Sequence, residues 1–322
     1  MTSFEIAGFV GGGLALLLLG GELLVRGAVA TGQRLGLSPV VIGMVIVGFG
    51  TSSPELFVGI QAALSNASSL ALGNVVGSNV TNVLLILGLA AVFQPIPRPA
   101  HFFRLDAFIL VAASVGVVAL GYAGPIGTTE GLVMLAAMAA VIIFQVARCY
   151  IYPDAVDPAE IEAGRSNMNL LLALALLLLG FVALWKGADW LVVGSVEIAT
   201  RLNISEELIG LTVVAIGTSL PELSSIVIAA VRRQGGVALG GILGSNIFNL
   251  LAIIGATAVT APIVPGPVFL LIDGPIMIGV ALLMIFFVIT GRGISRLEGG
   301  LLMACFVGFM LFRIGLEQAG RV

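Results

Sequence analysis

Two similar stretches decide the fold of this chain: GFGTSSPEL at residues 48–56 and AIGTSLPEL at residues 215–223. They lie 167 residues apart, and eight of sixteen positions are identical between 43–58 and 210–225. The shared residues are mainly Gly, Thr, Ser, Pro and Glu, although both stretches lie inside apolar sequence. Because lipid-facing positions disfavour such polar residues, the pattern indicates one buried functional element in each copy.

A second pair of stretches follows at the same offset: GNVVGSNVTNVLLILG at 73–88 returns as GGILGSNIFNLLAIIG at 240–255. Nine of nineteen positions are identical between 73–91 and 240–258. The repeat predicts three parts of the chain: a first half at 1–150, a linker at 151–167 and a second half at 168–322.

The composition excludes several classes of protein. Of the 322 residues, 59% are hydrophobic and 10% are charged, whereas soluble domains carry about 25% charged residues. This excludes a soluble enzyme and a disordered regulator. A single lysine, Lys186, and no basic patch exclude a nucleic-acid binder. Cys149 and Cys305 stand alone in apolar stretches, which indicates neither a disulfide framework nor a metal cluster. Since no Lys or Arg precedes Arg26, we expect the first apolar run to be a mature helix rather than a signal peptide.

Ten apolar runs are long enough to cross a bilayer as helices, which takes about 20 residues each. They are uniformly apolar, whereas the strands of a membrane barrel alternate over about ten residues. We therefore predict an all-α polytopic membrane protein with ten transmembrane helices, at 5–30, 39–65, 70–94, 104–122, 128–150, 168–197, 206–231, 238–262, 268–290 and 298–316. Because each half contains five spans, the second half enters from the opposite side. Two inverted five-helix repeats with broken core helices are typical of secondary transporters.

The arginines predict the orientation in the membrane by the positive-inside rule. One set of loops and termini contains Arg201 and Arg321, and the alternate loops contain nine arginines: Arg34, Arg98, Arg104, Arg148, Arg165, Arg232, Arg233, Arg292 and Arg296. We expect both termini outside and the 151–167 loop in the cytoplasm. The four acidic residues of that loop allow a calcium-sensing patch, but polar stretches between apolar segments favour a solvated linker.

Each GTS-x-PE motif predicts a break in its span. Proline lacks the backbone N–H and disfavours helix for the preceding residue, while Ser or Thr before Pro is typical of a helix start. We expect breaks at 50–53 and 217–220. The backbone carbonyls at the end of each first half-helix, near Gly48 and Ala215, carry partial negative charge and suit a cation.

The repeated polar residues supply further oxygens for a cation. Helical spacing places Glu55 on one face with Thr51 and Ser52. The same spacing holds in the second half and in the neighbouring spans, which adds Glu222, Thr218, Ser219, Ser78, Asn82, Ser245 and Asn249. Carboxylate, hydroxyl, amide and carbonyl oxygens are the ligands of hard cations such as Ca²⁺, and the absence of His and Cys disfavours Zn²⁺ or Cu⁺. Carboxylates inside the membrane usually mark an ion pathway.

Other polar residues have structural interpretations. The repeated glycines and Ser53 are equally consistent with close helix packing. Asn79 and Asn246 lie about 100° around the helix from the Ser/Asn face and are expected to cap or pack. Glu22 with Arg26, and Lys186 with Asp189, are expected to form local ion pairs, with a proton relay as the alternative. Asp106 and Asp273 lie near span ends and are expected to snorkel.

The two motifs, GTSSPEL with GNVVGSNVTN and GTSLPEL with GGILGSNIFN, resemble the alpha repeats of the cation/calcium exchanger superfamily, in its sodium/calcium exchanger branch of prokaryotic type. The resemblance covers nearly the whole chain and implies that spans 2, 3, 7 and 8 form an ion-binding core across which spans 1 and 6 slide. It implies that Glu55 and Glu222 bind calcium together with Thr51 and Thr218. It implies sodium sites completed by the remaining residues: Ser52, Ser78, Asn82, Ser219, Ser245, Asn249 and the carbonyls near Gly48 and Ala215.

Two departures from related branches refine what the resemblance implies. Proton/calcium exchangers carry a further Glu in the GN motif, whereas Gly73-Asn-Val-Val-Gly and its counterpart have no carboxylate, which favours sodium over protons. Potassium-dependent members have Asp at the position of Asn249, which is neutral here. The 151–167 linker contains no large regulatory insertion.

The sequence thus predicts a secondary antiporter of the cell membrane that exchanges Na⁺ for Ca²⁺ by alternating access, with no cofactor and no obligate protein partner. H⁺/Ca²⁺ exchange, Na⁺/Mg²⁺ exchange and a cation channel stay open as alternatives. An intramembrane enzyme is disfavoured because the chain has no GxGD pair and no HExxH, and its one histidine, His101, lies in a loop.

Overall fold

The computed structural model describes residues 1–34, 50–97, 103–151, 168–231, 233, 235–291 and 293–319, and these are almost entirely helical. The first half contains α1 (Ser3–Arg34), α2 (Ser53–Leu64), α3 (Ser68–Val80), α4 (Gly88–Phe93), α5 (Phe103–Ala123) and α6 (Thr128–Ile151). The second half contains α7 (Leu170–Leu202), α8 (Glu206–Ile209), α9 (Ala215–Thr218), α10 (Leu220–Val231), α11 (Gly235–Phe248), α12 (Ile254–Thr260), α13 (Gly274–Thr290) and α14 (Arg296–Gln318). Four π-helical turns interrupt these helices: π1 (Thr81–Leu87), π2 (Gly210–Val214), π3 (Asn249–Ile253) and π4 (Phe269–Asp273).

The described residues form eight helices that are long and apolar enough to cross a membrane. A ninth span is a bent pair, Glu206–Thr218 with Leu220–Val231, whose two parts meet at 44°. These nine coincide with nine of the predicted spans. The second predicted span, 39–65, ends in α2, and its beginning lies outside the described residues. The chain is therefore an all-helical membrane protein.

Two spans occupy the centre of the molecule. Within their most apolar windows, Ser68–Phe93 and Ala238–Thr260 are 83% and 78% buried, whereas the other six long spans are between 17% and 44% buried. The central spans carry the second repeated motif, so its Asn and Ser residues face protein rather than lipid. This arrangement satisfies the rule that polar groups at membrane depth need partners inside the protein.

The two longest helices, α1 and α7, pack against each other in opposite directions. Contacts between them run from Gly13 with Gly187 to Gly20 with Gly180, so one residue number rises as the other falls. A Cβ added at Gly20 would lie 2.8 Å from the backbone nitrogen of Leu184, which is too close for any side chain. The glycines thus allow the two backbones to touch, as small residues do between membrane helices.

Contacts between loops show which connections share a face of the molecule. Ile96 and Pro97 pair with Gly293 and Ile294 in a two-stranded antiparallel ribbon. On the other side, Ile126 and Ile263 form a reciprocal bridge with N–O distances of 2.9 and 3.0 Å. The first pair joins connections that are six of the predicted spans apart, and the second joins connections that are four apart. Both numbers are even, as expected when successive spans alternate in direction.

The ion pairs divide into confirmed and corrected predictions. Glu22 with Arg26, and Lys186 with Asp189, form the predicted local pairs. Asp273 was expected to snorkel and does not: it is 1% exposed and its Oδ1 lies 2.8 Å from Nε of Arg313, which is fully buried. The physical reason is that α14 brings Arg313 to the start of α13, so the aspartate finds a counter-charge inside the protein instead of reaching for water.

Candidate cation-binding site

The breaks in the two GTS-x-PE spans place two short turns in the interior of the molecule. Ser52 lies just before α2, with Pro54 in the first helical turn. In the second half, Ser219 separates α9 from α10 with φ −82° and ψ 9°, close to the values of Ser52, −85° and 10°. Both serines and both following glutamates are buried. The proline in each motif thus produces the predicted break, and the break carries the polar residues into the protein.

The two breaks lie next to each other, and the serine of each break donates a hydrogen bond to the glutamate that follows the other break. Ser52 Oγ donates to Glu222 Oε1 over 2.8 Å, and Ser219 Oγ donates to Glu55 Oε1 over 3.1 Å. These two bonds are copies of each other under the 167-residue offset. Each serine therefore contacts the carboxylate of the opposite half rather than the one that follows it in sequence. The result is a pair of neighbouring carboxylates held by hydroxyl groups from both halves.

The threonines of the motif adjoin the same carboxylates. Thr51 lies near Glu222, and Thr218 lies near Glu55. Thr218 Oγ1 also donates to the Val214 carbonyl over 3.0 Å. Both threonines thus lie where the sequence predicted them, beside the carboxylates.

The central spans complete the site from the other side. Ser245 Oγ lies 2.9 Å from Ser52 Oγ and 3.5 Å from Glu222 Oε1. Asn82 Nδ2 donates to Ser245 Oγ over 3.1 Å. The structure therefore brings α11 and π1 to the breaks, as the sequence predicted for the spans that carry the second motif.

A π-helical turn lies at each predicted asparagine ligand. π1 covers Asn82 and π3 begins at Asn249, which are equivalent positions under the repeat. A π-helical turn inserts one extra residue per turn and re-aims the side chains that follow, and such turns occur frequently at functional sites. No signal in the sequence distinguished these turns from ordinary α-helix.

Five oxygen atoms of the predicted ligands lack a hydrogen-bond partner within the described ranges. They are Glu55 Oε2, Glu222 Oε2, Ser78 Oγ, Asn82 Oδ1 and Asn249 Oδ1. All five residues are at most 2% exposed. Buried polar atoms normally have partners, because an unpaired one costs about 1–3 kcal/mol. Bound cations would supply partners for oxygens of this kind.

The electrostatics favour the same interpretation. Among the residues that the structure describes, no lysine or arginine forms an ion pair with Glu55 or Glu222. That part of the chain also contains no group of three or more His, Cys, Asp or Glu side chains able to hold a metal ion. A cation here would be bound by two carboxylates and by neutral oxygens, a donor set that suits Ca²⁺ or Na⁺ rather than a soft transition metal.

The two predicted carbonyl ligands have different outcomes. Gly48 lies outside the described residues. The Ala215 carbonyl lies at the break and accepts from Ser219 N over 3.1 Å. The same carbonyl also accepts from Thr218 Oγ1 over 3.4 Å, so both of its lone pairs face donors inside the protein. Ala215 itself is fully buried.

Sequence reasoning missed Asn74, which is fully buried beside the site. Its Oδ1 accepts from Thr218 Oγ1 over 3.3 Å. The repeat could not reveal it, because the equivalent residue in the second half is Gly241. The neighbouring Gly77 packs directly on the bent span, since an added Cβ would lie 2.7 Å from the Ala215 Cβ. For this glycine, close packing is the observed role.

The chain matches known proteins over nearly its whole length. A family described as sodium/calcium exchanger protein matches residues 5–147 and 172–315. The putative antiporter CaxA of Alkalimonas amylolytica is 34% identical over 94% of this chain and 96% of its own. The sodium/calcium exchanger MaX1 of Methanosarcina acetivorans is 31% identical over 93% of this chain and 95% of its own.

A solved structure agrees with these relatives. The sodium-calcium exchanger NCX_Mj, soaked with 2.5 mM Na⁺ and 1 mM Sr²⁺, superposes with a TM-score of 0.63 and 26% sequence identity. The superposition covers 96% of this chain and 99% of that one.

Proposed function

Because this chain belongs to the sodium/calcium exchanger protein family, we propose that it exchanges Na⁺ for Ca²⁺ across the cell membrane by alternating access. Both ions compete for the site that contains Glu55 and Glu222. One observation carries the proposal: two buried carboxylates each accept from a serine hydroxyl of the opposite half, and each retains an oxygen with no partner within the described ranges.

The charge of the site explains how exchange would be enforced. Two ionised carboxylates give it a formal charge of −2. One Ca²⁺ neutralises this charge, or several Na⁺ share it with the neutral oxygens of Ser78, Asn82 and Asn249. An empty site leaves like charges buried without compensation, which is costly. The loaded protein therefore changes conformation more readily than the empty one, so outward movement of one ion requires inward movement of the other.

We also propose that the fold is two inverted five-helix repeats, one at 1–150 and one at 168–322. The family match in two stretches, 5–147 and 172–315, supports this division. The crossed serine–glutamate bonds support a two-fold relation between the halves.

The proposed orientation places both termini outside and the 151–167 linker in the cytoplasm. It is supported by the ribbon between Ile96–Pro97 and Gly293–Ile294, which adjoins the arginine-containing connections. The bridge between Ile126 and Ile263 joins two connections without Lys or Arg. The basic residues thus gather on one face, as expected for the cytoplasmic side.

The test is ⁴⁵Ca²⁺ uptake into proteoliposomes that contain the purified protein, with Na⁺, K⁺ and pH gradients imposed one at a time. We expect uptake only when the internal Na⁺ concentration exceeds the external one. Uptake driven by a pH gradient without Na⁺ would replace the proposal with H⁺/Ca²⁺ exchange. Currents that need no counter-ion would indicate a channel.

A further inference from the structure

Four asparagines form two crossed contacts beside the site. Asn82 Nδ2 donates to Asn246 Oδ1 over 2.9 Å, and Asn249 Nδ2 donates to Asn79 Oδ1 over 3.2 Å. The two contacts are copies under the 167-residue offset, since residues 79 and 82 correspond to 246 and 249. All four side chains are at most 3% exposed. Each predicted ligand asparagine is thus held by an asparagine that was expected only to cap or pack.

These contacts determine which end of each carboxamide faces the site. Asn82 uses Nδ2 twice, toward Asn246 Oδ1 and Ser245 Oγ. Its Oδ1, like that of Asn249, has no hydrogen-bond partner in the described part of the chain. A flipped carboxamide would place its oxygen against the acceptor oxygen of the neighbouring asparagine and point N–H groups toward the cation. Acceptor oxygens at Asn79 and Asn246 therefore select the orientation that offers oxygen to the cation.

Asn79 and Asn246, the asparagines that hold Asn249 and Asn82, are themselves fixed through their amide nitrogens. Asn246 Nδ2 donates to the Asn79 backbone carbonyl over 3.4 Å. Asn79 Nδ2 lies 3.7 Å from the sulfur of Met277 on α13. Because each nitrogen has its own partner, the carbonyl oxygen of each holding side chain can point only toward the ligand asparagine. Contacts with α13 and with the α3 backbone thus fix the orientation of the carboxamides at the site.

We propose that Asn79 and Asn246 are positioning residues that hold the carboxamides of Asn249 and Asn82 with their oxygens toward the transported cation. This inference rests on the proposed function and concerns Na⁺ most directly. Ca²⁺ draws mainly on the two carboxylates, whereas Na⁺ depends on neutral oxygens. Loss of a holding residue should therefore weaken Na⁺ binding more than Ca²⁺ binding, and so change the selectivity of the site.

The test is a double-mutant cycle with Asn246→Leu, Asn82→Ala and the double variant. The measured quantity is the Na⁺ concentration for half-maximal Na⁺-driven ⁴⁵Ca²⁺ efflux from proteoliposomes. We expect each single variant to raise this concentration about tenfold, in the range found for partners that orient metal ligands. The double variant should show no more than the larger single effect, because Asn246 acts through Asn82. The KM for Ca²⁺ should stay within about twofold of wild type.

Ser114→Ala is the matched control. Its hydroxyl lines the same small cavity as Asn79 and Asn246 but donates to the Leu110 carbonyl of its own helix. This variant should keep the wild-type Na⁺ dependence. The second copy of the contact, tested with Asn79→Leu and Asn249→Ala, keeps the inference falsifiable if Asn246→Leu does not fold.

Additive effects in both cycles, or equal losses of Na⁺ and Ca²⁺ affinity, would overturn the inference. Its failure is distinguishable from failure of the proposed function. If wild-type vesicles show no Na⁺-driven flux, the proposed function is wrong. The inference is then judged by the Na⁺ dependence of thermal stability of the same proteins in detergent.

Discussion

Two buried regions of this protein contain acidic side chains, and the partners of those side chains differ. Asp273 is 1% exposed and lies 2.8 Å from the guanidinium of Arg313. Glu55 and Glu222 are as deeply buried, at 1% and 2% exposed, but each accepts a hydrogen bond from a serine hydroxyl of the opposite half. Burial alone therefore does not identify a transport site.

The difference lies in what completes each region. Asp273 has its counter-charge, Arg313, within the chain. In the first half, the residue equivalent to Arg313 is Val146, and Asp106 accepts from the Gln145 amide over 3.0 Å. The carboxylate pair is present in both halves and lacks a basic partner within the described ranges. The first region has its counter-charge within the chain, whereas in the second we propose that a bound cation supplies it. The following predictions test that contrast.

The largest effect is expected from removal of one site charge. Glu222→Gln or Glu55→Gln should lower Na⁺-driven ⁴⁵Ca²⁺ flux at least about 100-fold, because loss of one partner from a buried charge interaction costs about 3–5 kcal/mol. Flux into proteoliposomes measures this. Glu22→Gln is the control, since its carboxylate is 56% exposed. Wild-type flux in either site variant would show that the cation does not bind these carboxylates.

Removal of the counter-charge in the neutral region should act on stability instead. Arg313→Met leaves Asp273 buried without its counter-charge and should lower the free energy of unfolding by about 3 kcal/mol. Equilibrium unfolding in mixed detergent micelles measures it. Adding Asp273→Asn to this variant should recover most of the loss. If Arg313→Met is as stable as wild type, the pair is not an obligatory charge balance.

Calcium should stabilise the protein through the site alone. A ligand that binds only the folded state adds about 2.7 kcal/mol at 100 times its Kd. We expect Ca²⁺ to raise the melting temperature of wild type and of Arg313→Met alike, and to have little effect on Glu222→Gln. Thermal unfolding followed by size-exclusion chromatography provides the comparison. A calcium shift retained in Glu222→Gln would place the ion elsewhere.

The smallest effect is expected from the serine bridges. Ser52→Ala removes one charge-assisted hydrogen bond to Glu222, and Ser219→Ala removes the equivalent bond to Glu55. Each should raise the KM for Ca²⁺ about tenfold, corresponding to about 1.5 kcal/mol. Because the two bonds are equivalent under the repeat, the two variants should behave alike. A difference of more than about tenfold between them would contradict that equivalence.

Much of the fold could be predicted because hydropathy and the repeat are local signals. The span limits follow from apolar runs, and the break at Ser52 follows from the proline two residues later. The family membership predicted from the repeated motifs is confirmed. These features depend on neighbouring residues in the chain, which a sequence displays directly.

The remaining features depend on contacts across the fold. Helical spacing places Ser52 near Glu55, yet Ser52 donates to Glu222, because the fold brings the two breaks together. The sequence around Arg313 contains no local signal of an ion pair, because its partner Asp273 lies 40 residues away. Asn74, which accepts from Thr218, has no counterpart in the repeat. The contact of Asn246 with Asn82 depends on how α11 packs against π1, which the sequence does not display.

The glycine contacts between α1 and α7 have a further consequence. Gly13 meets Gly187 and Gly20 meets Gly180, and the offset of 167 converts each contact into the other. Such a reciprocal contact is isologous, the kind found in two-fold homodimers. In a protein made of two identical copies of one half, a single glycine codon would specify two contact points, and one substitution would remove both. The helix pair thus has the geometry of a homodimer interface preserved within one polypeptide.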